Sequence, residues 1–157
     1  MTSFLRFLQV FSLGAWVGSI IYFSAVVAQG AFRTLPTMDD AGRLVGFTLA
    51  GLHSMGVICA VIYLVVSVAL ARSLGALARP AAIGVILMLI MTLVSQRVVI
   101  ARMDVLRAQM GSVAATPPES PLRAEFDRLH GVSVKLEGGV LLIGIAALFL
   151  TVRRMAV

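Results

Sequence analysis

The chain has 157 residues, is 60% apolar and carries a formal charge of +6, with a mean hydropathy of +1.03. That composition excludes an ordinary soluble domain. It also argues against nucleic-acid binding, because most arginines flank apolar runs as lipid headgroups select.

Uncharged runs lie between Arg6 and Arg33, Arg43 and Arg72, Arg79 and Arg97, and after Glu137; they hold 26, 28, 17 and 15 residues. About 20 residues cross a bilayer as a helix, so the first two runs suffice alone and the last two borrow a turn from their flanks. The expectation is one transmembrane domain over residues 1–157, an all-α integral membrane four-helix bundle. The short connections make it antiparallel, up-down-up-down. Its helices should cover about 4–32, 38–73, 80–110 and 121–153, with a linker at 111–120.

The first helix opens basic then apolar, like a signal peptide, but its apolar run is too long for one and reads as a spanning helix. Gly14 and Gly18 form a GxxxG pair continued by Ile21, Ala25 and Ala28, a spacing that brings helices close in lipid. Trp16 lies off that stripe and reads as a lipid-facing or packing aromatic. Arg33 ends the helix, Leu35-Pro36 turns the chain, and Thr37 with Asp40 three residues on forms a capping pattern. The second helix aligns Gly46, Ala50, His53, Val57, Ala60 and Leu64. Gly46 and Ala50 read as packing positions, and His53 points into the bundle. The single Cys59 excludes an internal disulfide and reads as a small core hydrophobe. A basic turn, Arg72 to Arg79, leads to Pro80 in the first turn of the third helix. Gly111 to Pro121 is the linker, and Ser120-Pro121 opens the last helix.

That last helix holds the chemistry. The 15 residues from Gly138 to Val152 span roughly 22 Å, less than a hydrocarbon core of roughly 30 Å. A full crossing therefore starts near Ser133 and takes Lys135 and Glu137 into the membrane. Counting depth along each helix puts His53 level with Glu137, roughly 8 Å below the face away from the termini, with Arg97 about 4–5 Å deep. His130 shares a helical face with Glu137, about 10 Å higher. His53, Arg97, His130, Lys135 and Glu137 are expected to form a polar cluster in that half of the bundle. Each unpaired charge there costs at least about 2.5–3.5 kcal/mol, so Glu137 is expected to pair with Arg97 or Lys135, although Lys135 can instead snorkel outward.

Such a cluster is either a structural clasp or a site for a small ligand. Haem b or a transition metal, held by His53 and His130, leads the ligand readings, although bis-histidine ligation needs both rings at one iron and the depth offset opposes that. The other functional reading is an accessory subunit docking on a larger membrane complex. Export of metal or drugs has the least support, because no inverted repeat or broken helix is evident. No phosphate loop, paired carboxylates, His-Cys cluster or Ser-His arrangement indicates an enzyme. Partners are the lipid bilayer, with other membrane proteins or further copies of the chain.

The pattern resembles the transmembrane protein 205-like family, a four-helix membrane domain of unknown function. The resemblance rests on Trp16-Val17-Gly18, Ala31-Phe32-Arg33-Thr34-Leu35-Pro36, His53-Ser54-Met55-Gly56, Thr92-Leu93 and Ala101-Arg102. Its most specific part is Arg123, Phe126, Leu129, His130, Gly131 and Ser133. It implies the fold and a setting of vesicle membranes and drug resistance, but no chemistry. More distantly, the first helix is similar to the copper-resistance D and membrane porphyrinogen-oxidase group, which handles copper or haem. The haem-ligating histidine of those oxidases, two turns before the tryptophan, falls here on Gln9.

Arg6, Arg72, Arg79, Arg153 and Arg154 share the side of the termini with no acid; the other side carries the remaining eight basic residues and all seven acids. Several of those eight belong to helix extensions or to the cluster. Both termini are therefore expected in the cytoplasm, and for a bacterial chain the membrane would be the plasma or inner membrane.

Overall fold

A computed structural model describes residues 2–155. Four long apolar helices run Thr2–Thr34 (α1), Met38–Ala71 (α2), Pro80–Met110 (α3) and Pro121–Met155 (α4). Among the described residues there is no strand. The links are short, so neighbours are antiparallel. α1 packs most closely on α2 and α3 on α4, with thinner seams between α2 and α3 and between α1 and α4. The result is an up-down-up-down integral membrane bundle.

Each helix is apolar on its outside as well as within. Phe47 is 79% exposed and Leu142 70%, beside many other outward hydrophobic side chains. A helix apolar all round is a buried or membrane-spanning helix, so this surface is solvated by lipid tails.

Local chemistry sets the boundaries. The Thr37 hydroxyl caps α2 by accepting the Asp40 N–H at 3.0 Å, and it donates back to the Asp40 carboxylate at 2.7 Å. The capping pattern thus closes hydroxyl to carboxylate, since Asp is shorter than the Glu of a full capping box. Pro80 and Pro121 stand at the first positions of α3 and α4, where a missing N–H costs nothing. At the far end of α2, Arg72 adopts the left-handed conformation that terminates helices.

The core is built on Leu13, Trp16 and Ile20 of α1, Tyr63 of α2, Val85 and Met88 of α3, and Val140 of α4. Trp16 is only 1% exposed and lies on the Gly56 backbone, where an added Cβ would collide with the indole. At Gly144 a Cβ would sit 2.7 Å from Val17 and 2.9 Å from Met88. These contacts correct the expected packing positions. A Cβ at Gly14, Gly18 or Gly46 would meet nothing within 4 Å, and Ala50 is only half-buried. Close approach happens where a large side chain needs a hollow, and Trp16 supplies the need at Gly56.

Two segments, Phe23–Val27 and Ser95–Ile100, are π-helical. In α3 the inner stripe runs Val85, Met88, Thr92, Ser95, Val99 and then Met103. Spacing there alternates three and four until two fours follow in succession, which is the signature of one inserted residue. On the side away from the termini, α3 and α4 continue as a pair around Val99, Met103, Leu106 and Phe126. Arg102 holds Glu125 through two bonds of 2.8 and 3.1 Å, and the Arg107 guanidinium lies 5.4 Å over the Phe126 ring. Asp39 ties the linker down by accepting from the Ser112 hydroxyl and from the N–H groups of Val113 and Ala114.

Candidate functional site

His53 sits on the inner stripe of α2 with Leu52, Gly56, Cys59, Ala60 and Tyr63, and only 3% of its side chain is exposed. Both ring nitrogens are engaged, each by a different helix. Nδ1 lies 2.7 Å from Gln96 Oε1 of α3, and Nε2 lies 3.1 Å from Glu137 Oε2 of α4. Glu137 comes from the stripe Ser133, Val140, Gly144, Ala147 and Thr151, and its side chain is 13% exposed. Three of the four helices are thus joined through one imidazole.

Gln96 belongs to the π-helical turn of α3. It lies four residues after Thr92 and so faces inward beside the stripe. The turn also leaves two polar orphans: Thr92 Oγ1 and Ser95 Oγ are buried with no hydrogen-bond partner among the described residues. A buried hydroxyl without a partner costs about 1–3 kcal/mol, so these two mark a place where polar company is wanted. Gln96 also lines a cavity of about 250 Å³ between α2 and α3, together with Gly46, Ala50 and Ile100 and with Arg43 and Arg107 at its charged end.

The expected pairing of Glu137 with Arg97 or Lys135 is not formed. Arg97 and Lys135 are both exposed, and the partner of Glu137 is His53. Arg97 stands two residues from both Ser95 and Val99, nearly opposite the inner stripe. His130 is also exposed, and Leu129 takes the inward place beside it against the Val99–Phe126 cluster. Seven residues drift about 20° along a straight helix, enough to swap which neighbour faces in. Of the five candidates, the structure brings together His53 and Glu137. Gln96 was missed because a scan for charges ignores an amide. The signal available was its i+4 relation to Thr92.

Glu137 Oε2 accepts from the Nε2–H of His53, and the Gln96 amide can meet Nδ1 with its oxygen as acceptor or, turned over, with its N–H as donor. Haem or a metal does not fit these residues. Neither nitrogen of His53 is free, and no group of three His, Cys, Asp or Glu side chains among the described residues is placed to hold a metal. Gln9 is buried and donates to Ser67 at 2.6 Å.

Residues 11–112 match a family described as a domain of unknown function, DUF4149. The chain belongs to this family. The DUF4149 match takes in α1 from residue 11 onward, α2 and α3, with His53 and Gln96, and ends before α4, which carries Glu137. No curated protein and no solved structure matches the chain.

Proposed function

We propose that this multi-pass membrane protein is not an enzyme and works through a one-proton site. His53 and Glu137 share the proton, and Gln96 connects it to the membrane face away from the termini. The observation that carries the reading is the double position of Gln96, which bonds the buried imidazole and also lines the α2–α3 cavity. A cavity of about 250 Å³ has room for several waters or one small polar ligand. Proton uptake and binding of such a ligand would then be linked, since both act on the same imidazole.

The chain has two histidines, so His130→Gln leaves His53 as the one imidazole for nitrogen NMR. Two protonated ring nitrogens are expected near neutral pH in the purified protein, and a neutral ring in the added Glu137→Gln variant. Filling the cavity with Ala50→Trp should slow exchange of the ring protons with deuterated water. A ring that is neutral throughout, with exchange indifferent to Ala50→Trp, would leave only the clasp of an accessory subunit. The reading also keeps both termini in the cytoplasm. A thiol placed in the 111–120 linker should then react with an impermeant reagent added outside intact cells.

A further inference from the structure

A second cavity, of about 560 Å³, lies at the opposite end of the bundle, where the termini are. Arg6, Arg79 and Arg154 line it, from α1, the turn before α3, and the last turns of α4, and no acid is among its lining residues. None of the three forms an ion pair with a described residue. Three guanidinium groups around one space repel each other unless an anion joins them.

The floor is polar and built. Gln9, Tyr63, Ser67 and Thr151 are each 7% exposed or less. Gln9 donates to Ser67 at 2.6 Å, Ser67 to the Tyr63 carbonyl at 2.7 Å, and the Tyr63 and Thr151 hydroxyls meet at 2.7 Å. Such a floor suits a hydrated or anionic group better than an alkyl chain. Ala81 and Ala82, which also line the cavity, are in the first turn of α3 behind Pro80. Their N–H groups have no acceptor within the helix, and the positive end of the helix dipole adds to the arginines.

We propose that this cavity binds a phosphate group, and that its source is the headgroup of an anionic membrane lipid. Arginine forks match phosphate oxygens in pairs, and the cavity stands at the end of the spanning segments, at headgroup level. Leu70 and Leu150 provide an apolar wall along which an acyl chain can leave.

The test uses the whole protein in neutral detergent, titrated separately with dioctanoyl phosphatidic acid, dioctanoyl phosphatidylcholine and inorganic phosphate, and read by calorimetry and thermal unfolding. Phosphatidic acid should bind and raise the unfolding temperature. Arg79→Gln with Arg154→Gln should weaken it at least about tenfold, the scale of one lost charge-assisted bond. Should the double variant not fold, Arg154→Gln alone, at an exposed position, carries the same expectation. Inorganic phosphate binding as tightly as phosphatidic acid would support the phosphate site but assign free phosphate as its occupant. Binding of phosphatidic acid no tighter than of phosphatidylcholine, or undiminished in the folded variants, would overturn the proposal.

Discussion

At the His53 end of the bundle the buried base and acid close on each other across α2 and α4, whereas at the other end Arg6, Arg79 and Arg154 surround a cavity lined by no acid. The first arrangement fixes the helices relative to one another, because neither group can leave without stranding the other in low dielectric. The second leaves its charges to be matched from outside. Composition alone does not separate the two, since both ends are rich in arginine. What separates them is the placement of the seven acids, all on the His53 side.

Removing one member of the closed pair should have the largest effect. His53→Ala strands Glu137 and Gln96 together and is expected to cost about 3 kcal/mol in detergent unfolding. The matching change at the open end, Arg79→Ala, leaves no buried partner behind and should shift lipid-free stability by less than about 0.5 kcal/mol. Equal effects would erase the contrast.

The hollow between the ends comes next. Gly56→Ala forces a Cβ into the Trp16 indole one turn from His53, and overpacking of this kind costs about 1–3 kcal/mol. The His53 nitrogen resonances should broaden with it. Unchanged resonances would separate the pair from the packing beneath it.

A smaller, local effect belongs to Asp39. Hydrogen bonding by the Ser112 hydroxyl, helped by the Ala114 and Val113 N–H groups, holds its pKa below the ordinary 3.8. A depressed folded value means that its contribution is complete above that ordinary value and fades as pH falls through the folded one. Proteolysis of the linker should therefore rise at acid pH while the bundle persists. Asp39→Asn should show the raised cleavage already at neutral pH.

Smallest of all, Gly14→Leu and Gly18→Leu should each change stability by less than about 0.5 kcal/mol, because their side chains would enter open space. A large loss from either would mean that another copy or partner covers this face in the detergent-solubilised state.

Run lengths and caps settle much of the fold before any coordinates. Apolar stretches long enough to cross a bilayer must become helices, since no other open structure satisfies its own backbone there. Thr37, Pro80 and Pro121 mark where three of those helices begin for reasons local to each residue. His53 and Glu137 are legible too, because depth along a helix is simple arithmetic. What the chain does not display is rotation about each helix axis. Gly14 and Gly18 have the spacing of a packing face and yet meet no neighbour, while Gly56 receives Trp16. Arg97 has the depth for Glu137 and the wrong azimuth, and Gln96, one residue earlier, has the right one. Azimuth depends on how four bulky surfaces mesh and on an extra residue in one turn of α3. Those are many-body packing terms, and only the assembled bundle decides them.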